Sequence, residues 1–245
     1  NESIPTTTYE TDEEAEKTEV SGVVEIPTNL NVSIQTNAAK TQYDDVTIEN
    51  LRGNILIQNG ILKLSNGALG IIGATAKMEA VYKNEGTQKA YFDYKINASE
   101  FDIKRAYNEI KMFREIVTAA ESAEGIVGLN YSIKGVLNNQ MEPVMPSLEG
   151  SGTLSVKKVK MKGFKLLNVV SAKTENPDIK DPDISKVDIK STIKNNIVTI
   201  ERFKFKVAGF RLRFEGQTSL DGKLNLKMRI GLPPLGIIGI PIKVL

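Results

Sequence analysis

The chain contains no cysteine, no histidine and no tryptophan in its 245 residues. Without cysteine it has no disulfides, no thiol nucleophile and no zinc site of the usual kinds. Without histidine it lacks the commonest general base and the usual base of hydrolase triads. A carboxylate pair drawn from Asp93 and Glu149 is the remaining enzymatic alternative. We therefore predict a protein that is not an enzyme and that carries no metal or cofactor.

Long apolar runs are also lacking. The longest apolar stretch, 232–245, is interrupted by Pro233, Pro234 and Pro241, and no stretch approaches the roughly 20 residues that span a bilayer. No signal-peptide pattern is present. The chain starts at Asn1 and stops in what reads as an unfinished strand. We expect a piece of a longer protein whose targeting elements lie outside it.

Charge is unevenly distributed along the chain. The net charge is +2 at pH 7, yet residues 1–20 hold seven acids and one lysine. Few large apolar side chains occur there, so the segment cannot bury enough surface to offset its ordering entropy. We predict that 1–20 is a flexible acidic linker or tail and that 21–245 forms the folded, β-rich domain.

A second charge feature is a run of lysines without acids between Gly150 and Thr174. It predicts contact with an anionic surface such as lipid headgroups; the alternative is an ordinary solvated strand face. Nucleic acid is not an expected partner, because the net charge is small and Phe164 is the only aromatic residue in the cluster. The cluster consists of Lys157, Lys158, Lys160, Lys162 and Lys165.

Apolar and polar residues alternate with period two over most of the chain, which is typical of antiparallel strands with one buried face. Asn59-Gly60 between two apolar runs predicts a hairpin. The pattern changes once to helical spacing, at Ile103, Ala106, Tyr107, Ile110, Phe113 and Val117. We predict the main helix at about 100–120, capped by Ser99 with Asp102, and a short second helix at about 163–171.

The clearest alternation lies in the last third of the chain and defines two faces. The charged positions are Lys204, Lys206, Arg211, Arg213, Lys223, Lys227 and Arg229. The apolar positions are predicted to share one concave sheet face, either a closed core or an open groove that binds lipid acyl chains. They are Phe203, Phe205, Val207, Phe210, Leu212, Phe214, Leu224, Leu226, Met228 and Ile230.

The predicted fold class is mainly β, with flanking helices and twisted antiparallel sheets that form an apolar-faced sandwich or groove. A weak repeat is visible, since Gly53-x-Ile55-x-Ile57 recurs as Gly152-x-Leu154-x-Val156. It suggests two related sub-units at about 21–137 and 148–245.

The order of these motifs resembles the C-terminal domain of the AsmA family. The resemblance lies in the strand–turn–strand of 51–66, in 148–156 followed by 163–167, and in the closing hairpins of 197–222. Gly70-Ile-Ile-Gly73 departs from the adjacent glycines expected there. The resemblance extends over about 22–245.

AsmA-like proteins, which are related to the TamB-type lipid-transport proteins, are anchored in the inner membrane of Gram-negative bacteria and project into the periplasm. The resemblance therefore implies a periplasmic domain, tethered to the inner membrane, that acts in outer-membrane biogenesis. The absence of cysteine is compatible with that compartment. We expect it to bind or pass phospholipid or another envelope lipid in its apolar groove, with other envelope proteins as further candidate partners. The alternative is a structural or protein-interaction module without a groove.

Overall fold

The computed structural model describes residues 22–43, 46–220, 224–231 and 239–244. The described chain is mainly β, and its twelve strands form one antiparallel sheet, which confirms the predicted fold class. Each strand pairs with its neighbours in sequence, so the sheet is an open meander from β1 to β12. The strands are β1 (Asn31–Tyr43), β2 (Val46–Gln58), β3 (Ile61–Ile71), β4 (Ala74–Glu85), β5 (Lys89–Asp102), β6 (Ala123–Leu137), β7 (Glu149–Met161), β8 (Asp183–Lys194), β9 (Ile197–Val207), β10 (Phe210–Ser219), β11 (Leu224–Gly231) and β12 (Gly239–Val244).

The described strands build a single sheet, so the two-sheet sandwich that was one predicted arrangement is not formed. The two proposed sub-units would contribute β1–β6 and β7–β12, and the pairing of β6 with β7 joins these halves. The predicted hairpin is present between β2 and β3. Asn59 and Gly60 have φ of 53° and 74°, as a two-residue turn of type I′ requires.

The predicted main helix is present but divided. It consists of α1 (Ile103–Glu109), α2 (Lys111–Ile116) and a 3-10 helix at Thr118–Ser122. Ile110 interrupts it with extended backbone, φ −111° and ψ 104°. Strand β5 continues past the predicted cap to Asp102, whose side chain accepts the hydrogen bond of the first helical turn from the Arg105 amide.

The second predicted helix is present as α3 (Lys165–Thr174). Shorter 3-10 helices occupy Met145–Ser147 and Pro177–Ile179 in the connections on either side of β7 and α3. The large hydrophobic cluster combines one face of the sheet with residues of these helices, among them Ala106, Phe113, Leu167 and Val170. The helices therefore cover part of the apolar sheet face.

Residues 22–30 cross one end of the sheet before β1 begins. The Val23 amide donates to the Thr87 carbonyl at 3.0 Å, and the Ile26 amide donates to Asn84 Oδ1 at 2.9 Å. The Tyr82 hydroxyl donates to the Val24 carbonyl at 2.7 Å. These bonds hold Val23 and Ile26 in a second buried cluster. The predicted acidic tail, 1–20, lies outside the described residues.

Candidate binding faces

The apolar face of the sheet is continuous across most of its width. Because paired residues of adjacent strands point to the same side, the strand register defines rows of side chains. One row runs from β1 to β9 and comprises Ile34, Ile55, Leu64, Ala80, Tyr94, Ile133, Gly150, Ile193 and Val198.

Burial changes along this row. Ile34 is 43% exposed, whereas Ile193 and Val198 are 2% and 7% exposed. The next row begins with Val32, which is 37% exposed. Residues of β2 and β3 in these rows are half-buried. The face therefore leads from accessible apolar surface at β1 into packed core. We name its exposed and half-buried part the open end: Val32, Ile34, Ile55, Ile57, Leu62 and Leu64. Ile57 and Leu62 of this set also pack against the second buried cluster.

The predicted groove of β9–β11 lies on the same face, at its other end. Phe203, Phe214 and Met228 are paired across three strands, and Phe205, Leu212 and Ile230 form the next row. The rings of Phe205 and Phe214 stack at 5.4 Å with 3° between their planes. Sequence alternation thus placed these side chains correctly on one side of the sheet.

These residues, however, are packed core rather than an open groove. Leu212 and Ile230 are fully buried and Met228 is 1% exposed. Phe205, Val207 and Phe214 are also buried, whereas Phe203 and Phe210 are half-buried. Leu167 and Val170 of α3 and Ile179 belong to the same cluster. These residues and the buried side chains of β9–β11 thus share one cluster, whereas the accessible side chains of the face lie at β1–β3.

The predicted lysine cluster is exposed but has acidic neighbours. Lys160 lies opposite Glu124 of β6 and opposite Asp183 of β8. The Lys162 ammonium is 2.6 Å from the Glu124 carboxylate, and this hydrogen bond lowers the pKa of Glu124. Lys157, Lys158 and Lys165 are exposed as well. The acids come from β6 and β8, so their proximity was not visible in the local sequence.

The polar face of β9–β11 has a different charge pattern. Lys204 of β9, Arg213 of β10 and Arg229 of β11 form one row of directly opposed side chains, and Lys206 lies opposite Arg211. We name this set the basic patch, with Lys227 as its sixth member. All its members are exposed except Arg213, which is half-buried. Lys223, predicted on the same face, lies outside the described residues.

One acid belongs to the paired positions of this area. Glu215 lies opposite Lys227. Its carboxylate, however, forms an ion pair with Arg202, whose guanidinium donates hydrogen bonds to both oxygens at 2.7 and 3.1 Å. This hydrogen bond is the main reason why the pKa of Glu215 is lowered, and the charges of Arg202, Arg229 and Lys227 act in the same direction. Glu215 is therefore already committed to Arg202, a residue outside the basic patch.

Asp93 and Glu149, the carboxylates considered for an enzymatic role, both flank Lys134 on the polar face. The Lys134 ammonium is 3.1 Å from Glu149, and it lowers the pKa of that carboxyl group. A general acid of a glycosidase requires a raised pKa. The pKa of Glu149 is shifted in the opposite direction, and Glu149 forms a surface ion pair with Lys134.

Neither a metal site nor a membrane-spanning helix occurs among the described residues. No group of three or more acidic side chains is arranged to hold a metal ion there. None of the helices in these ranges has the length and apolar character needed to cross a membrane.

Comparisons with protein-family models, with curated protein sequences and with solved structures found no match to this chain. The resemblance to the AsmA family is therefore carried by the sequence motifs quoted above.

Proposed function

We propose that this chain is an AsmA-like domain that binds phospholipid by holding its acyl chains against the open end of the apolar face. The observation that carries the proposal is the continuity of the apolar rows from exposed Val32 and Ile34 into buried core. Contiguous exposed apolar surface marks a binding site more often than isolated apolar residues do. Each methylene that leaves water on such a surface contributes roughly 0.8 kcal/mol.

The cellular part of the proposal rests on the family resemblance. It comprises a periplasmic location, a tether to the inner membrane supplied by another part of the protein, and a role in outer-membrane biogenesis. The ten residues of β9–β11 first predicted to bind acyl chains are not part of the proposed site, because the described side chains among them are mostly buried.

Native mass spectrometry of the purified chain tests the acyl-chain site. We expect phospholipid to remain bound to the unmodified chain and to be lost from Ile34→Asp, which places a charge on the open end. Ser33→Asp is the matched control, because Ser33 is exposed on the opposite face of the same strand. Retention of equal amounts of lipid by both variants, or no lipid on the unmodified chain, contradicts the proposal.

A second candidate function, a protein-interaction module, is favoured by the free edge of β1. This strand pairs with β2 alone in the described sheet. It is 13 residues long, contains no proline and carries Lys40 as its one charged residue. Long edge strands with little charge are templates for the addition of another strand.

Light scattering at increasing protein concentration separates this candidate from lipid binding. Strand addition predicts that copies of the chain associate and that Gln35→Lys with Asn37→Lys prevents it, because lysines on an edge strand oppose pairing. Both positions are exposed and alternate with those of the open end. Lipid retention by this double variant together with loss of association assigns both functions to separate surfaces.

A further inference from the structure

The basic patch contains an electrostatic cost that the described residues offset only in part, through the charge of Glu215 near Arg229 and Lys227. Like charges directly opposite each other on neighbouring strands are destabilising, and here they recur in two adjacent rows. In the register, Lys227 also lies opposite Lys243 of β12. No ion pair within the described part of the chain involves Lys204, Arg213 or Arg229.

The same face of the sheet is arranged differently at β4–β7. Lys95 pairs with Glu79 at 3.3 Å, and Lys134 lies between Asp93 and Glu149. Opposite charges thus alternate across those strands. The contrast shows that β9–β11 carry an accumulation of one sign that the paired charges of β4–β7 do not have.

We propose that the basic patch is a docking surface for an anionic lipid bilayer. Adjacent strands are about 4.8 Å apart, and alternate residues along a strand are about 6.6 Å apart. The six side chains therefore form a two-dimensional array of cations, which is complementary to a plane of phosphate headgroups. Arginine guanidinium groups also bind phosphate oxygens in pairs.

Nucleic acid is a weaker match to the same charge. Binding of single strands uses aromatic side chains on which bases stack. The described aromatic residues of β9 and β10, Phe203, Phe205, Phe210 and Phe214, lie on the apolar face.

Near Pro177, the acids Asp178, Asp181 and Asp183 line a hollow together with Lys206. This places the centre of the patch at Lys204, Arg213 and Arg229.

The basic patch and the open end lie on opposite faces of the sheet, so docking to a bilayer is independent of acyl-chain binding. Under both proposals, one face of the sheet contacts lipid headgroups and the opposite face binds acyl chains. The proposed orientation brings β9–β11 against the bilayer and leaves the edge at β1 accessible.

Flotation of the full chain with vesicles tests the proposal. Vesicles of phosphatidylcholine containing phosphatidylglycerol are compared with vesicles of phosphatidylcholine alone, at low and at high salt. We expect binding to the anionic vesicles only, and weaker binding at high salt because surface charges are screened. Each basic residue near an anionic surface contributes a factor of roughly five in affinity. Lys204→Glu with Arg213→Glu should therefore weaken binding by at least about 25-fold.

Lys63→Glu with Lys77→Glu is the matched control. It makes the same change in net charge at exposed positions of β3 and β4, outside the basic patch. The control should retain most of the binding. Equal losses in both double variants would show that net charge alone is responsible and would overturn the proposal, as would equal binding to both kinds of vesicle.

Two further measurements identify another occupant. Tighter binding of a DNA duplex than of anionic vesicles, with the same dependence on Lys204 and Arg213, would assign the patch to nucleic acid and overturn the bilayer. The acidic first twenty residues are the other candidate. If the full chain fails to bind vesicles but Glu13→Gln with Glu14→Gln and Glu16→Gln restores binding, the patch serves this chain's own N-terminal segment, which also overturns the proposal.

Discussion

Arg213 of β10 lies directly opposite Arg229 of β11, and Lys204 of β9 lies opposite Arg213 on its other side. Because the Arg213 side chain lies between two like charges, reversing its charge should stabilise the fold. We expect Arg213→Glu to raise the free energy of unfolding by about 1 kcal/mol at low salt, since each cross-strand pair of opposite charge contributes roughly 0.2–1 kcal/mol. Urea denaturation at two salt concentrations measures this gain, which salt should reduce.

Lys134→Glu is the control for this first prediction. Lys134 lies between two carboxylates, Asp93 and Glu149, so the same kind of reversal should lower stability there. Loss of stability in both variants would mean that the polar face of β9–β11 is not under like-charge repulsion.

The second prediction concerns the pH dependence of the pair formed by Arg202 and Glu215. The pKa of Glu215 is lowered from its ordinary value of 4.5. A carboxyl group with a lowered folded-state pKa stabilises the fold above its unfolded-state pKa, and this contribution is lost as the pH falls through the folded-state pKa. Glu215→Gln should therefore be less stable than the unmodified chain at neutral pH, and the difference should disappear in acid.

Urea denaturation midpoints of the two proteins, measured from neutral pH to below the folded-state pKa, test this prediction. Glu142→Gln provides a comparison away from the basic patch, because the Lys111 ammonium is hydrogen-bonded to Glu142 and lowers its pKa in the same way. A difference between unmodified protein and Glu215→Gln that persists in acid would show that the pair contributes through packing rather than charge.

Much of this architecture could be predicted from local sequence. Period-two alternation identifies strands because successive side chains point to opposite faces, and Asn59-Gly60 specifies its turn because both positions need positive φ. Helical spacing identified the apolar stripe of 103–117 but not its break. Ile110 is part of the apolar stripe although its backbone is extended. Apolar spacing indicates the direction of side chains and does not show whether the helical backbone is continuous.

The accessible part of the apolar face could not be predicted in this way. Alternation is equally clear at Leu212, which is fully buried, and at Ile34, which is 43% exposed. Leu212 belongs to the large hydrophobic cluster, which also includes Leu167 and Val170 of α3 and Ile179, whereas Ile34 belongs to neither buried cluster. Burial at one position therefore depends on elements that are distant in sequence, which local alternation does not record.

The third prediction distinguishes the two ends of the apolar face by stability. Leu212→Ala should lower the free energy of unfolding by about 2–5 kcal/mol, as large-to-small changes in packed cores do. Ile34→Ala should cost well under about 1.5 kcal/mol, because a side chain that is half solvated loses less on truncation. Chemical denaturation of both variants measures the contrast. Comparable losses at the two positions would mean that the open end is also core.

The last prediction concerns Gly152, which faces Tyr131 across β6 and β7. A Cβ atom at Gly152 would lie 2.4 Å from Tyr131 Cδ2 and 2.3 Å from the carbonyl oxygen of Asn130. The Tyr131 ring cannot turn away freely, because it packs against the second buried cluster and its hydroxyl is 3.1 Å from Ser191 Oγ.

Gly152→Ala should therefore force the two strands apart and lower the free energy of unfolding by about 1–3 kcal/mol, the usual cost of overpacking. Gly86→Ala is the control, since nothing lies within 4 Å of its added Cβ and only its φ of +63° opposes the change. That variant should lose about 1 kcal/mol, the cost of a left-handed backbone in an L-residue. A Gly152→Ala protein as stable as the unmodified chain would show that β6 and β7 can separate at this point without loss of packing.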